Sequence, residues 1–250
     1  SFIMILLPSV SFASEKTGKD LASELVSNPN VWEAFSNSEK GKVRDFAEKD
    51  ALKVKKKIDN IAGSNAPIEV KNKVLEKIWQ KLGEDEKLSY LTYVTPVEQE
   101  ESNVIIPNLR DSSTVSSVET ESLAIDEPIY ATRAAAYTNS FYKNLIGKNI
   151  WGGKLFEFWT KNTWGYDKVK ILSINPSEGQ DAFEAGWSYA GKVLETWYNY
   201  NNFDYHRNVE GNFELNIVTR WQKATVYHDT RIRANGAWSA TSDVSGAYTN

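Results

Sequence analysis

The chain has 250 residues, of which 41% are apolar, 25% charged and 12% aromatic, and it contains no cysteine. This composition excludes wholesale disorder, a collagen-like repeat and a polytopic membrane protein. Without cysteine there is no disulfide scaffold, thiolate metal site or thiol catalysis. The net charge of −4 gives no reason to expect a nucleic-acid partner.

Charge and aromatic content divide the chain into three regions. Residues 1–94 carry 15 basic and 14 acidic side chains, and residues 131–250 carry 13 basic and 11 acidic ones. Residues 95–130 carry 1 basic and 8 acidic side chains. The negative charge therefore belongs to the middle region alone. Aromatic residues are concentrated elsewhere, since 22 of them lie in the last 114 residues.

The first residues predict export. Residues 2–13 form an apolar run that ends in small side chains, and the polar residues Ser14, Glu15 and Lys16 follow directly. This pattern is typical of the apolar region and cleavage site of a secretory signal peptide. We expect residues 1–13 to be a signal peptide truncated at its start, and the protein to be secreted. A buried N-terminal strand is the alternative.

Residues 14–94 have apolar side chains at helical spacing. The two clearest stripes consist of Val43, Phe46, Ala47, Val54, Ile58 and Ile61, and of Val70, Val74, Ile78 and Leu82. Ser36 and Glu39 form a capping-box signature before the first stripe, and residues 63–67 separate the two. We expect four or five short helices in a small N-terminal bundle.

Residues 95–130 predict an acidic, Ser/Thr-rich extended linker, because low apolar content and one-sided charge do not offset the entropy of ordering. Residues 104–106 form its one apolar cluster, which we interpret as part of a loop rather than as an added strand. An acidic linker also suggests proteolytic processing near Arg133.

Residues 131–250 alternate between apolar and polar side chains and predict an antiparallel all-β domain. The alternation is clearest in residues 213–222 and 225–234, and Asn235-Gly236 predicts a type I′ hairpin after them. Further strands are expected at 137–145, 154–162, 168–174, 186–190 and 192–200, with a turn at 175–179. The expected fold class is α+β, in which the C-terminal domain is a β-sandwich or a small barrel.

Two short motifs in this domain carry a resemblance. Gly186-Trp187-Ser188-Tyr189-Ala190-Gly191 and the pattern Asn235-Gly236-x-Trp238-Ser239 resemble a loose group of uncharacterised small secreted proteins of Gram-positive bacteria. The resemblance covers the C-terminal domain only. It implies export and a β architecture, and it implies no catalytic residue.

Catalytic motifs and metal-ligand spacings are not found in the sequence. The two histidines are His206, in a polar loop, and His228, which lies on the apolar face of its strand and predicts a core imidazole. We therefore expect no catalytic residue, no metal site and no cofactor. Glycoside hydrolysis by paired carboxylates needs no motif, and its candidates are Glu157, Glu184, Glu195 and Glu214.

Aromatic side chains on polar strand faces favour a binding function. Trp159 lies beside Glu157 and Trp197 beside Glu195, while Tyr227 shares a face with two arginines suited to an anionic polymer. The candidates for ligand binding are Trp159, Trp197, Glu157, Glu195, Tyr227, Arg231 and Arg233. Burial of the tryptophans in the core is the alternative interpretation.

The leading hypothesis is an exported non-enzymatic protein whose β domain binds a cell-surface or extracellular target, either a glycan, a cell-wall polymer or a protein. One alternative is a secreted antibacterial or membrane-active factor with an N-terminal maturation segment, since tryptophan and tyrosine favour membrane interfaces. The other is a small glycoside hydrolase. Membrane contact stays open, but no transmembrane span is expected once the signal peptide is removed.

Overall fold

A computed structural model describes residues 15–106, 137–184, 186–199, 202–217 and 220–249. The predicted signal peptide, most of the predicted linker and the proposed processing site near Arg133 lie outside these residues. The described part of the chain contains five helices followed by two four-stranded antiparallel sheets. The mixed α+β class is therefore confirmed.

The start of α3 and the break between α3 and α4 lie where the capping and breaker residues predict. Their bounds are α1 Gly18–Ser27, α2 Val31–Ala34, α3 Asn37–Ala62, α4 Ile68–Lys81 and α5 Glu84–Val94. The predicted capping box is present at α3, where the Glu39 amide donates to Ser36 Oγ (3.3 Å) and the Ser36 amide donates to Glu39 Oε2 (2.9 Å). Residues 63–67 separate α3 from α4 as expected.

The two predicted apolar stripes differ in burial. In α3, Val43, Ala47 and Val54 are buried and contact other helices and the sheets. In the second stripe, Val70 is exposed, whereas Leu82, the C-cap residue of α4, is buried in the core. Trp79, which was not part of the predicted stripe, is also buried there. Helix α4 therefore packs along the margin of the core rather than across it, which its apolar spacing alone does not reveal.

In the described part of the chain, eight strands follow the helices. Their bounds are β1 Glu98–Ile106, β2 Tyr137–Lys148, β3 Lys154–Tyr166, β4 Ile171–Ala182, β5 Trp187–Asn199, β6 Asp204–Ile217, β7 Arg220–Arg233 and β8 Trp238–Thr249. Sheet A has the order β1-β2-β3-β4, and sheet B has the order β5-β6-β7-β8. Neither described sheet closes on itself, so the small-barrel alternative is wrong. The two open sheets fit a β-sandwich.

Strand β1 corrects the prediction for the first part of the linker. Residues 98–106 pair antiparallel with β2, and Val104 lies opposite Tyr142. The interpretation of residues 104–106 as part of a loop was therefore wrong. The sequence signal is weak because β1 is an edge strand with many charged and polar side chains, whose order comes from backbone pairing to β2.

Strand β4 runs through the predicted turn at residues 175–179. Pro176 is compatible with a strand here because β4 is the edge of sheet A. Proline lacks a backbone N–H, and on the open side of an edge strand no neighbouring strand needs that donor. In sheet B, the two predicted strands at 186–190 and 192–200 form the single strand β5. An irregularity between Tyr189 and Gly191 marks their boundary, and Gly191 has φ +127°.

Two predictions for β6 and β7 are wrong. The predicted single strand at residues 213–222 spans the end of β6 and the start of β7, where Ile217 pairs antiparallel with Arg220. His206, which was expected in a loop, lies in β6, because the polar residues of this segment alternate with buried ones along a paired central strand.

The hairpin between β7 and β8 is at the predicted place but is of a different type. A type I′ turn needs positive φ at both central residues. Gly236 has φ +87°, whereas the described non-glycine residues with positive φ are Lys168 and Asn202. The Gly236 amide donates to the Arg233 carbonyl, and the Arg233 amide donates to that of Ala237. This pattern is a turn followed by a glycine bulge, which is the usual three-residue hairpin loop.

The helices share a core with both sheets. Its largest cluster, here called the proximal core, joins Trp79 and Tyr90 of the helices to Phe156 of sheet A and to Trp187 and Phe213 of sheet B. A second cluster, here called the distal core, contains side chains from the sheets. The helical region is therefore docked on the β domain, and an independent helical bundle is not established.

Polar contacts fix this docking. Trp187 Nε1 donates to the Val94 carbonyl (3.0 Å), and Lys55 Nζ lies 2.6 Å from Glu184 Oε2. The Tyr93 hydroxyl donates to Glu184 Oε1 (3.0 Å). Burial, followed by the charge of Glu184, raises the pKa of Tyr93 to about 12. Tyr93 therefore remains a hydrogen-bond donor at every physiological pH.

Candidate functional site

Five of the seven predicted binding residues lie on the outer face of sheet B. Strand register places Glu195 of β5 in one row with Asn208 of β6 and Asp229 of β7. The next row contains Trp197, His206 and Arg231. We call this face the sheet-B platform, and its defining residues are Glu195, Trp197, His206, Tyr227, Arg231 and Arg233.

Trp197 is the most prominent ring of the platform. Its side chain is stacked on the imidazole of His206, with ring centroids 4.9 Å apart and ring planes only 9° from parallel. The pairing of β5 with β6 causes this contact, because Trp197 and His206 are direct cross-strand neighbours. Trp197 is 39% exposed to solvent. One indole face is therefore supported by protein while the residue remains accessible.

The two arginines of the platform converge on a buried carboxylate. Arg231 donates to Asp204, and Arg233 Nε lies 3.4 Å from Asp204 Oδ1. The Asp204 side chain is only 2% exposed. Because one buried negative charge offsets part of the two positive charges, the arginines form an anchored, hydrogen-bonded unit rather than a free cationic patch.

A shallow depression lies beside Trp197 on the same face. Its volume is about 190 Å³, and its lining residues are Val193, Glu195, Asn208, Val209, Glu210, Tyr227, His228 and Asp229. Three of these are carboxylates. The depression therefore has acidic character and offers hydrogen-bond acceptors next to an aromatic surface.

The other two predicted residues lie on the outer face of sheet A. Trp159 is half-buried, because its indole lies across Gly179 of β4, where a Cβ atom would overlap the ring. Its second neighbour is the Tyr142 ring, at a centroid distance of 5.7 Å. Glu157 accepts a hydrogen bond from Asn144 Nδ2 (2.5 Å). The Trp159 and Trp197 positions thus face opposite sides of the molecule.

This separation affects the hydrolase hypothesis. Glu157 and Glu195 lie on the outer faces of different sheets and do not converge on one substrate position. Glu184 is engaged by Lys55 and Tyr93 where the helices meet the sheets. Carboxylates that share a surface are instead Glu195, Glu210 and Asp229, and sequence spacing does not reveal their proximity because it depends on three strands.

A band of polar residues between the sheets was not predicted. We call it the polar belt, and it consists of Lys143, Thr160 and Glu178 of sheet A and Arg207, His228 and Thr230 of sheet B. On β6, Arg207 separates Val209 of the proximal core from Tyr205 of the distal core. A sequence signal exists, since Thr160 follows the inward-facing Phe156 and Phe158 at the same two-residue period.

Ion pairs neutralise part of the belt. Glu178 forms ion pairs with Arg207 of β6 and Lys192 of β5. Lys143 Nζ lies 2.9 Å from Glu101 Oε2. Burial alone would raise the pKa of Glu178, but the hydrogen bond from Lys192 and the charge of Arg207 together lower it. Glu178 therefore stays ionised and ties the edge of sheet A to sheet B.

His228 is buried, as predicted, and only 1% exposed. Its ring meets Phe158 edge-on at a centroid distance of 5.3 Å. Burial, followed by the positive charges of Lys143 and Arg207, lowers the pKa of His228 to about 4. The imidazole is therefore neutral at pH 7 and has a structural place in the belt.

A larger depression, of about 340 Å³, lies between the helices and the sheet edges. Its lining residues are Pro29, Asn30, Glu33, Pro96, Val97, Glu98, Gln99, Gly147, Phe156, Ala224 and Val244. Glu98 Oε1 is 3.5 Å from Trp32 Nε1 at its rim. None of the predicted binding residues lines it, so we place the candidate site on the sheet-B platform.

The chain has no detected similarity to known proteins. No family model, curated protein or solved structure matches the chain. Within the described residues, no cluster of three or more His, Asp or Glu side chains could hold a metal ion. No helix in this part of the chain combines the length and the apolar character needed to cross a bilayer.

Proposed function

We propose that the protein is exported and non-enzymatic, and that its β-sandwich domain binds an extracellular or cell-surface glycan through the sheet-B platform. The observation that carries this proposal is the accessible Trp197 ring, held from one side by His206 and flanked by Glu195. A flat, supported aromatic ring offers a surface for the apolar face of a sugar, and adjacent carboxylates accept hydrogen bonds from its hydroxyl groups.

The charges of the platform indicate the kind of glycan. Arg231 and Arg233 share Asp204, while Glu195, Glu210 and Asp229 surround the neighbouring depression. This acidic environment favours sugars that are neutral or carry amino groups, and it disfavours the anionic polymer that the arginines alone would suggest. The proposed ligand class is therefore a neutral or amino-sugar glycan.

Replacing Trp197 with alanine tests the proposal. Since the ring supplies the contact surface, we expect the dissociation constant for the bound glycan to rise about 10- to 100-fold, a range typical of an aromatic anchor. Binding of the full chain to peptidoglycan, chitin and chitosan would be measured by pull-down, followed by calorimetry with soluble oligosaccharides of the type retained.

Trp159→Ala is the matched control, because it removes the same side chain from the opposite face of the domain. We expect this variant to bind like the unmodified protein. Equal losses for the two variants would contradict a site on sheet B, and failure of the unmodified chain to bind any of these glycans would contradict the proposal itself.

A glycoside hydrolase acting at the same depression is the second candidate. Glu195 and Asp229 flank Asn208 in one row, so their Cα atoms are two strand spacings, or about 10 Å, apart. Inverting hydrolases hold their carboxyl groups at about 6.5–9.5 Å. If the chain released reducing sugar, Glu195→Gln and Asp229→Asn would each abolish that release. Unchanged release in both variants would eliminate this candidate.

A further inference from the structure

The second half of β5 is an exposed edge strand. Beyond the irregularity at Gly191, every side chain from Lys192 to Tyr198 is exposed. Four of them are large and apolar, with exposures of 50% for Val193, 46% for Leu194, 39% for Trp197 and 51% for Tyr198. Among the described strands β5 pairs with β6 alone, so its other backbone edge has no strand partner.

The other sheet edges carry features that discourage pairing. Strand β4 contains Pro176, Glu178 and Asp181, and β1 contains several glutamates. Strand β8 presents Asp243 and small polar residues. Proline and charged side chains are the usual means of protecting an edge. What distinguishes β5 from β8, which also has one charged residue, is that residues 193–199 combine a single charge, at Glu195, with four exposed large apolar side chains. This segment is therefore suited to pairing with another strand.

We propose that β5 pairs antiparallel with β5 of a second copy of this chain, about a two-fold axis at Thr196. This register places Leu194 opposite Tyr198 of the partner subunit and Thr196 opposite its own copy. Apolar–aromatic and Thr–Thr pairs of this kind stabilise antiparallel sheets. A register centred on Glu195 would instead oppose two carboxylates, which is destabilising.

The two-fold pairing joins the two B sheets into one eight-stranded sheet with a self-complementary contact. On the outer face it brings Trp197 next to Glu195 of the partner subunit, so that each platform gains a residue from the other copy. This consequence for ligand binding rests on the proposed function. The dimer itself depends only on the exposed edge and its register.

Charge substitutions at the two-fold axis test the pairing. The full chain, without glycan, would be studied by sedimentation velocity from about 1 to about 100 µM. We expect the unmodified protein to be dimeric at the upper end of this range. Thr196→Lys and Thr196→Glu each place like charges opposite one another, and each should raise the dimer dissociation constant at least about tenfold. An equimolar mixture of the two variants should restore a dimer, because the opposed charges are then complementary.

Thr241→Lys, at an exposed position on the β8 edge, is the control and should remain dimeric. Thermal unfolding verifies that each variant is folded. A monomeric unmodified chain over the whole range, equal loss for Thr241→Lys and Thr196→Lys, or no dimer in the mixture would overturn the proposal. A monomer that still binds glycan would overturn the dimer and leave the proposed function standing.

Discussion

Replacing Trp187 with alanine is expected to lower the free energy of unfolding by about 3–5 kcal/mol, the usual cost of removing a buried tryptophan. The side chain is 5% exposed, and its ring centroid lies 5.1 Å from that of Phe156. Its indole N–H also donates to the Val94 carbonyl at the end of α5. One side chain thus joins both sheets and the helices, and chemical denaturation monitored by circular dichroism measures the loss.

Two further variants separate the contributions. Trp187→Phe retains a ring but leaves the Val94 carbonyl without its donor, and we expect a loss of about 1–3 kcal/mol. Trp151→Ala removes a tryptophan that is 40% exposed and should cost less than Trp187→Ala. Helix and sheet signals should unfold in one transition, since they share the proximal core. A loss below about 1 kcal/mol for Trp187→Ala, or separate helix and sheet transitions, would contradict a shared core.

Acidification is expected to destabilise the fold through His228. Its pKa is about 4 in the native protein, against 6.5 for an unperturbed imidazole. Between these values the unfolded chain binds a proton that the native protein does not bind. The contribution of His228 is therefore fully present above pH 6.5 and falls by about 3 kcal/mol as the pH decreases to 4. The pKa of His228 is lowered by burial and then by the positive charges of Lys143 and Arg207. Glu178 of sheet A forms an ion pair with Arg207 of sheet B.

The measurement is the free energy of unfolding of the unmodified protein and of His228→Gln between pH 7 and pH 4. Glutamine does not titrate, so the variant should lose the part of the pH dependence that belongs to the imidazole, while the carboxylates still contribute at lower pH. Lys143→Met should weaken the effect by removing a neighbouring positive charge. A pKa near 6.5 for His228 in the native protein, measured by NMR, would show that the polar belt does not disfavour the protonated imidazole. Identical stability–pH profiles for the unmodified protein and His228→Gln would show the same.

Local structure followed closely from local sequence. Ser36 and Glu39 predicted the start of α3, because a helix N-terminus is completed by residues three positions apart. The two-residue period identified residues 225–233 of β7 and placed His228 on an inward face. It also joined the end of β6 and the start of β7 into one strand at residues 213–222, which is wrong. Strand β1 and the central part of β4 were missed, since both are edge strands whose order depends on a neighbour rather than on their own composition. Residues 204–212 of β6 were missed because their polar side chains resemble a loop, although the strand is paired on both sides.

The candidate site was only partly accessible to sequence reasoning. The exposure of Trp197 agrees with the prediction, but both faces of residues 192–198 are exposed, so its cause is the edge position of β5 rather than alternation. Its support by His206, the neutralisation of Arg231 and Arg233 by Asp204, and the separation of Trp159 onto the other sheet required the register of several strands. The polar belt was overlooked because its members are distributed over both sheets, even though each lies at an inward position of its own strand.

By itself the sequence determined the start of α3, the break between α3 and α4, the change to a two-residue period and the concentration of aromatic residues in the C-terminal region. These properties depend on side chains within a few positions of one another. The tertiary structure alone decided that the helices share a core with both sheets, that an acidic and aromatic surface assembles on sheet B, and that β5 is left as the unprotected edge. Strand pairing and core packing bring together residues that are far apart in the chain, and local sequence patterns do not predict which of these residues are in contact.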